Sequence, residues 1–486
     1  MTTVCNAYVQ PLMARYLRAL ETTLADNGYS CPLYLMTSGG GMTTLESAIR
    51  YPIRLVESGP SGGAVLASRL AERLQEQRVV SFDMGGTTAK ICLIQDYQPQ
   101  TARNFEIARA ARFQKGSGMP VRIPVIEMIE IGAGGGSIAH VDGMGQLRIG
   151  PESAGSVPGA ACYGKGGTKP TVTDANLLLG RINPSTFAEG KMPLDVPAAE
   201  TAIAADVAAP LAVSGLEAAF GVTEMVEENM ANAARIHSVE HGADLSTFTM
   251  IAFGGGGPLH AVRLAEKLGV QKVIVPANSG VGSAVGFLQA PVAYEVVRSR
   301  YMTLDQFDPD AANQVIGAIS DEAHSIVSGS DPNAEISLTC TAYMRYVGQG
   351  HEIQVPIPAG TLTAQDTATI KASYEAAYGC LYGRTIPQRD IEILSWSMVA
   401  ATVLPALDII PNDTPAKGCD PIETRTVFVP SQKAQTDIPV YWRPDMPAGA
   451  EFTGPALVAE PQTTTFVTDG FKGRIDADAN LILERI

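Results

Sequence analysis

Residues 83–88 bring together a carboxylate, two glycines and two threonines, a set of groups suited to holding phosphate. Apolar runs at residues 79–82 and 91–94 flank this set, which predicts a β-hairpin with its tight turn at the glycines. Glycine lets backbone N–H groups approach an anion, threonine hydroxyls add donors, and a strand-end carboxylate can hold Mg²⁺ through water. For the Gly-Gly pair alone, an ordinary turn is the alternative. The predicted phosphate-binding residues are Asp83, Gly85, Gly86, Thr87 and Thr88.

A second glycine-rich segment, residues 250–261, has the order strand, glycine loop and helix. The apolar residues 250–253 predict the strand, and Pro258 follows the glycines at a position where the first turn of a helix tolerates proline. A loop of this shape suits the base and sugar of a nucleotide. The predicted nucleotide-binding residues of this loop are Gly254, Gly255, Gly256 and Gly257.

Two further segments, residues 57–68 and 278–287, predict helices with faces of small residues that allow close approach. In chain order, these two helices, the hairpin and the glycine loop resemble the connecting helices, the second phosphate loop and the adenosine loop of the actin, hexokinase and heat-shock-chaperone ATPase superfamily. The resemblance implies an α/β fold with a ribonuclease-H-like lobe and the cofactors ATP and Mg²⁺. It also implies catalytic roles for Asp83 and Thr87, with Asp83 holding the metal through water.

The composition limits the classes of partner. A chain of 486 residues suggests two to four domains at about 100–200 residues each. The formal net charge of −15 argues against a nucleic-acid or anionic-membrane surface and favours small molecules and proteins. The seven cysteines show no CxxC spacing, so neither a disulfide framework nor a zinc cluster is indicated. With no signal-peptide pattern and no run of about 18 apolar residues, we expect a cytoplasmic protein.

The elements that must position these motifs suggest two domains. Residues 1–300 predict the ATPase lobe, with a glycine-rich insertion at 132–174 that we place near the nucleotide because irregular backbone of this length is usually functional. Residues 301–486 predict a β-rich domain of short alternating strands, with residues 291–308 as the junction. A loop and a partly exposed strand are expected over residues 105–131.

Other polar residues receive structural interpretations. His237 and His241 have the i, i+4 spacing of a metal pair, but the glutamate of a metalloprotease motif is absent, and we expect them to serve the helix end. Lys165 and Lys169 in the glycine-rich insertion have the chemistry to meet phosphate, although solvated charges are the expected state of lone lysines in a loop.

Six motifs carry a closer resemblance that covers nearly the whole chain. They are DMGGTTAK at 83–90, IGAGGGSIA at 131–139, GPESAG at 150–155, TVTDA at 171–175, FGGGGPLHA at 253–261 and RYVGQ at 345–349. In combination they are similar to the hydantoinase A, 5-oxoprolinase and acetone carboxylase family. The Thr-Ala-Lys ending at residues 88–90 resembles the N-methylhydantoinase branch.

The family resemblance implies a hydrolase that uses ATP to phosphorylate the amide oxygen of a cyclic amide such as hydantoin, N-methylhydantoin or 5-oxoproline. An amide oxygen is a poor leaving group and an amide carbon a poor electrophile, and phosphorylation corrects both if the phosphates are well aligned. The resemblance also implies a hydantoinase B-like partner subunit in a hetero-oligomer. Two alternatives stay open: a non-catalytic fragment with a nucleotide half-site or partner interface, and a subunit of an ATP-dependent ketone carboxylase.

Family members normally begin with another Asp-x-Gly-Gly-Thr hairpin ahead of the point where this sequence starts, so the sequence resembles the larger C-terminal part of a member. Nucleotides in the superfamily are held between two such hairpins. We therefore expect these 486 residues by themselves to bind adenine nucleotide weakly.

Overall fold

A computed structural model describes residues 1–107, 117–330, 332–411 and 415–486. In this part of the chain the α-helices are Thr2–Asp26 (α1), Leu45–Arg50 (α2), Ser58–Arg73 (α3), Val172–Leu178 (α4), Val196–Ile203 (α5), Ala209–Leu211 (α6), Gly215–Glu240 (α7), Gly257–Leu268 (α8), Gly282–Phe287 (α9), Pro309–Ser328 (α10) and Asp366–Tyr382 (α11). The first twelve strands are Tyr34–Met36 (β1), Met42–Thr44 (β2), Arg78–Met84 (β3), Ala89–Gln95 (β4), Gln98–Pro99 (β5), Thr101–Ile107 (β6), Met119–Ile126 (β7), Ile129–Ile131 (β8), Ser137–Val141 (β9), Leu147–Ser153 (β10), Thr249–Phe253 (β11) and Lys272–Val275 (β12). The strands that follow are Ala293–Thr303 (β13), Ile336–Tyr346 (β14), Ile353–Pro356 (β15), Ile391–Thr402 (β16), Lys417–Gly418 (β17), Glu423–Val429 (β18), Ala434–Trp442 (β19), Ala450–Thr453 (β20), Ala456–Ala459 (β21), Thr464–Val467 (β22), Phe471–Ile475 (β23) and Leu481–Arg485 (β24).

The chain divides into two compact units, each built from segments that are distant in sequence. Unit 1 comprises Met1–Ser58, Arg103–Pro124 and Ala290–Ala406, and unit 2 comprises Gly59–Ala102, Val125–Gln289 and Leu407–Ile486. The sequence-based assignment divides the chain once, at residue 300, and it stays a prediction.

A mixed sheet forms the centre of unit 2, with the strand order β17-β20-β23-β24-β12-β11-β3-β4-β5 and β8 also beside β4. The predicted hairpin is present as the antiparallel pair β3 and β4. β11 lies parallel to β3, and β12 lies parallel to β11. Every residue of β11 is buried, as expected for a parallel strand that is covered on both faces. The carboxyl ends of β3 and β11 therefore meet at one edge of the sheet.

Strands from the C-terminal part of the chain extend the same sheet. β24 pairs antiparallel with β12, β23 with β24, and β20 with β23. A second, four-stranded sheet in unit 2 has the order β18-β19-β21-β22. The strand-rich C-terminal part that the sequence predicts is thus present, and part of it completes the sheet that carries the hairpin.

Helix α7 begins at Gly215, seven residues before the amphipathic run that starts at Val222. Ser214 accepts a hydrogen bond from the Glu217 N–H at 3.2 Å, and the Glu217 side chain accepts from the Ser214 N–H at 2.9 Å. This reciprocal capping box satisfies two amide donors at the helix start and explains the earlier beginning. Among the described residues no single helix is long and apolar enough to cross a membrane; only the bent pair of Val196–Leu211 and α7, at 87°, meets that test together.

Unit 1 contains a four-stranded antiparallel sheet with the order β13-β16-β14-β15. The predicted junction over residues 291–308 stays a prediction; β13 occupies most of that range, and the boundary between the two units falls at residues 289 and 290. β14 is one continuous strand of this sheet, and its register with β16 shifts between Tyr343 and Met344. For the predicted loop and partly exposed strand, β7 and β8 are present, whereas residues 108–116 lie outside the described residues.

Candidate functional site

The hairpin turn exposes backbone donors. The Gly85 N–H donates to the Thr88 carbonyl at 3.1 Å and closes the turn. Gly86 and Thr87 are exposed at the tip. Within the described ranges, no backbone carbonyl accepts from the N–H groups of Gly86, Thr87 and Thr88. The sequence-predicted residues Gly85, Gly86, Thr87 and Thr88 are therefore brought together, and the N–H groups of the last three are available to an anion.

The carbonyl side of the same turn is supported by the glycine-rich insertion. The Gly135 N–H donates to the Gly85 carbonyl at 3.1 Å, and the Gly136 N–H donates to the Gly86 carbonyl at 2.6 Å. Each hairpin glycine thus has its carbonyl oxygen bonded to protein. This segment, residues 134–136, uses its backbone to hold the hairpin tip.

The approach of this segment requires glycine. A Cβ on Gly134 would lie 2.6 Å from both the backbone nitrogen and the carbonyl carbon of Thr87, closer than atoms can pack. The segment is fixed in turn by α4, since Thr173 donates to the Gly135 carbonyl from its N–H at 2.8 Å and from its hydroxyl at 2.9 Å. The insertion predicted to lie near the nucleotide is therefore next to the hairpin, as a support.

Asp83 lies at the end of β3, opposite Phe253 of β11 and Lys90 of β4. Its Oδ2 accepts a hydrogen bond from the Ser283 hydroxyl at 3.0 Å. Burial raises the pKa of Asp83, while the hydrogen bond from Ser283 and the positive charge of Lys90 act in the opposite direction. Burial is the largest of these effects because removal from water disfavours the charged form. A hard cation beside this carboxylate would compensate for the lost solvation, which suits Mg²⁺.

The predicted nucleotide loop begins directly beside Asp83. Gly254 has φ +87°, and a Cβ there would lie 2.5 Å from both Oδ1 of Asp83 and the carbonyl oxygen of Met84. Only glycine combines this backbone conformation with so close an approach. The Gly256 N–H donates to the same Met84 carbonyl at 2.9 Å. The structure therefore joins the two predicted motifs, hairpin and glycine loop, at one edge of the sheet.

The rest of the glycine loop starts α8. Gly255 is exposed with open space around its Cα, and Gly257 is the buried first residue of the helix. The first N–H groups of an α-helix have no partner inside the helix and attract negative charge. The hydrophobic side of α8 packs into the core of unit 2, which fixes where the loop lies.

Gln462 and Thr463, which the sequence analysis did not connect with the site, lie against the other side of this loop. The Thr463 hydroxyl donates to the Gly255 carbonyl at 3.0 Å. A Cβ on Gly280 would lie 2.6 Å from the Cβ of Gln462, so the same segment also contacts the turn before α9. No local sequence pattern predicts this contact, because it joins residues more than 180 positions apart.

A buried polar network lies beneath α8 and was also missed. His260 bonds through Nδ1 to Glu227 Oε1 at 2.9 Å and through Nε2 to Asn176 Nδ2 at 3.1 Å. Arg181 donates to the Asn176 Oδ1 at 3.2 Å, which orients the amide so that its nitrogen faces His260. The Asn176 nitrogen is a donor, so His260 Nε2 accepts and Nδ1 carries the proton. All four side chains are at most 2% exposed. The network ties α4 and α7 to the helix that follows the glycine loop.

The structure also describes the four residues that received structural interpretations. The His237 and His241 rings stack edge to face with centroids 4.8 Å apart, and His241 Nε2 lies 3.6 Å from Glu127. In the described part of the chain, no three His, Cys, Asp or Glu side chains are grouped to hold a metal. Lys165 and Lys169 are exposed.

Comparison with known sequences and structures adds independent findings. The Hydantoinase/oxoprolinase family model matches residues 1–296, and the model of the Hydantoinase/oxoprolinase C-terminal domain matches residues 320–485. An uncharacterized protein of Methanocaldococcus jannaschii is 34% identical over 100% of this chain and 70% of its own length. The caprolactamase subunit alpha of Pseudomonas jessenii is 29% identical over 98% of this chain and 68% of its own length.

Two solved structures are similar along nearly the whole chain. The ATP-dependent caprolactamase of Pseudomonas jessenii matches with a TM-score of 0.81 and 28% identity, covering 100% of this chain and 70% of that one. Nucleotide-free acetone carboxylase matches with a TM-score of 0.79 and 25% identity, covering 97% and 67%. The predicted fold class, an α/β ribonuclease-H-like lobe with a β-rich C-terminal part, is confirmed.

Proposed function

The chain belongs to the hydantoinase/oxoprolinase family, and we propose that it is the ATP-using component of an enzyme that hydrolyses cyclic amides. The substrate class is a hydantoin, an N-methylhydantoin or a 5-oxoproline-like lactam. The similarity to an ATP-dependent caprolactamase supports a lactam as substrate.

One observation carries this proposal: the hairpin and the glycine loop follow the carboxyl ends of two neighbouring parallel strands. Asp83 and Phe253 are direct partners in the β3–β11 register, and each is followed by glycines. Ligands of open α/β sheets bind at the carboxyl ends of the strands. The N–H groups at residues 86–88 and at the start of α8 would face an anionic ligand bound at this edge.

When bound, ATP would supply the γ-phosphoryl group that converts an amide oxygen into a leaving group. The chain's own contribution is alignment and charge compensation, which dominate catalysis of phosphoryl transfer. The N–H groups of Gly86, Thr87 and Thr88 would hold phosphate oxygens, and Asp83 would hold Mg²⁺ through water. The loop Gly254, Gly255, Gly256 and Gly257 would hold adenosine.

The proposal extends to partners and location. We propose a hydantoinase B-like subunit as the partner that receives the activated substrate, because the caprolactamase relative is itself named as a subunit. A cytoplasmic location is proposed because the seven cysteines are free thiols in the structure.

The test is ATP hydrolysis by the chain together with a hydantoinase B-like subunit, measured as ADP release with hydantoin, N-methylhydantoin, 5-oxoproline or caprolactam. We expect one of these lactams to stimulate hydrolysis at least about tenfold, because alignment of the acceptor oxygen accelerates phosphoryl transfer. Hydrolysis that no lactam stimulates would contradict the proposal.

A ketone carboxylase subunit is the second candidate, favoured by the similarity to acetone carboxylase. An enolate oxygen is phosphorylated by the same alignment chemistry, so the site described above does not distinguish the two reactions. Dependence on bicarbonate distinguishes them. If ADP release requires bicarbonate together with a ketone, either acetone or acetophenone, and is not stimulated by lactams, the second proposal replaces the first.

A further inference from the structure

Asp83 is held by Ser283 of α9, a residue to which the sequence patterns assign no role. The Ser283 hydroxyl donates a hydrogen bond to Oδ2 of Asp83 at 3.0 Å. The other oxygen, Oδ1, borders Gly254 at the start of the glycine loop. The protein therefore fixes one oxygen of the carboxylate and directs the other toward the loop.

Ser283 reaches Asp83 because α9 approaches α3 at backbone distance. A Cβ on Gly286 would lie 1.8 Å from the Gly62 carbonyl oxygen, and a Cβ on Gly62 would lie 2.5 Å from the Ser283 carbonyl oxygen. A Cβ on Gly63 would lie 3.0 Å from the Ser283 hydroxyl itself. Any larger residue at these glycines would push the Ser283 hydroxyl away from Asp83. The close approach predicted for the two helices therefore positions the Ser283 hydroxyl beside Asp83.

We propose that Ser283 is a positioning residue, which holds the Asp83 carboxylate in the orientation that presents Oδ1 to the hydrated Mg²⁺ of a bound nucleotide. The inference rests on the proposed function. A carboxylate bonded at one oxygen cannot rotate away from its ligand, and outer partners of this kind typically change metal affinity by about 10- to 100-fold.

A purely structural role for Ser283 predicts a different result. If Ser283 is present only because a small residue fits against α3, then alanine fits equally well and nothing changes. If Ser283 acts through Asp83, then Ser283→Ala affects only binding that depends on Mg²⁺, and only while residue 83 carries its carboxylate.

The experiment is calorimetric titration of ATP into the 486-residue chain, once with Mg²⁺ and once with EDTA. The proteins are wild type, Ser283→Ala, Asp83→Asn and the double variant. Ser68→Ala is the matched control, since Ser68 on α3 also donates a hydroxyl hydrogen bond, to the Tyr97 carbonyl, and does not contact Asp83.

We expect Ser283→Ala to raise the Kd for ATP with Mg²⁺ about tenfold, at the lower end of outer-partner effects, and to leave the Kd in EDTA unchanged. Asp83→Asn should weaken Mg²⁺-dependent binding further, and Ser283→Ala should then add nothing. Ser68→Ala should match wild type.

Three results would overturn the inference: Ser283→Ala equal to wild type, equal weakening with and without Mg²⁺, or a Ser283→Ala effect that persists beside Asp83→Asn. In all three the wild type still binds Mg²⁺ and ATP, so the proposed function survives. If the wild type shows no Mg²⁺-dependent binding of ATP, the proposed function fails, and this inference fails with it.

Discussion

Two glycine-rich segments contact the same hairpin, and they use glycine for different purposes. Residues 134–136 pack against the tip, and the N–H groups of Gly135 and Gly136 donate to the carbonyls of Gly85 and Gly86. Residues 254–257 contact the base of the hairpin through Gly254 and Gly256, but leave Gly255 exposed in open space. The N–H groups of the first segment donate to protein acceptors, whereas the second segment leaves the backbone at Gly255, just before α8, exposed.

The comparison shows that glycine content alone does not distinguish a ligand loop from a support. What distinguishes them is where the amide hydrogen bonds go, since a buried N–H that already has a protein acceptor is not available to phosphate. The two segments should therefore respond differently to substitution: stability should change at Gly134 of the first, and nucleotide binding at the exposed Gly255 of the second.

The largest effect should come from Asp83, at the strand end next to Gly254 of the second segment. Asp83→Asn removes the charge but keeps the shape and an acceptor for Ser283, so we expect ATP turnover to fall at least about a hundredfold, which is close to 3 kcal/mol of transition-state stabilisation. The free energy of unfolding should stay nearly unchanged. Steady-state ADP release and a urea melt measure the two quantities, and an unaltered turnover rate would refute the role of Asp83.

The second-largest effect should come from the segment that supports the hairpin tip, residues 134–136. Gly134→Ala places a Cβ 2.6 Å from the Thr87 backbone, and overpacking of this kind typically destabilises by about 1–3 kcal/mol. We expect a lower unfolding midpoint in urea, and weaker nucleotide binding as a consequence. The control is Gly143→Ala, because a Cβ at Gly143 meets nothing within 4 Å. If both variants are as stable as wild type, the support role is wrong.

Some of the features behind these predictions can be predicted from the sequence, and others cannot. The hairpin, α8 and the glycine loop were predictable because apolar runs and glycines lie next to each other in the chain. The support of the hairpin by residues 134–136 was not, since the relevant bonds join Gly135 to Gly85, fifty positions apart. Local patterns predict an element but not its distant partner.

Similar limits apply to the strands. β18 and β22 are short runs rich in β-branched and aromatic residues, which is the pattern that predicts a strand. β13 lies in the range of the predicted junction and is harder to predict as a strand, because charged residues such as Arg298 and Arg300 interrupt its apolar pattern. The buried network around His260 and the bond from Ser283 to Asp83 combine side chains from several elements, so no single motif contains them.

A smaller effect should come from the exposed glycine of the nucleotide loop. A Cβ on Gly255 meets no protein atom within 4 Å, so Gly255→Ala should leave stability within about 0.5 kcal/mol of wild type, as is usual for surface changes. If adenosine approaches this backbone, the added methyl group should raise the Kd for ATP several-fold, measured by calorimetry. An unchanged Kd would show that Gly255 faces solvent only.

The neighbouring position gives the matched contrast. Gly254→Ala combines φ +87° with a Cβ 2.5 Å from Asp83 Oδ1, so this variant should lose stability, unlike Gly255→Ala. Equal stability of the two variants would contradict the geometry of the loop.

The smallest effect is expected at the hairpin tip. Thr87→Val removes an exposed hydroxyl and keeps the backbone N–H, and a hydrogen bond to a charged group contributes about 1.5–3 kcal/mol when it is fully formed. Because solvent competes at an exposed tip, we expect only a several-fold rise in the Kd for ATP with Mg²⁺, and Thr87→Ser should restore wild-type affinity. Failure of serine to restore it would argue against a role for the hydroxyl.

The central claim is that the nucleotide binds where the hairpin and the exposed glycine loop meet, and a crystal structure with Mg²⁺ and a non-hydrolysable ATP analogue tests it most directly. The account predicts phosphate oxygens within hydrogen-bond distance of the N–H groups at residues 86–88, Mg²⁺ near Asp83, and adenosine beside Gly255. Phosphate bound elsewhere, or at residues 134–136 with the hairpin displaced, would contradict it.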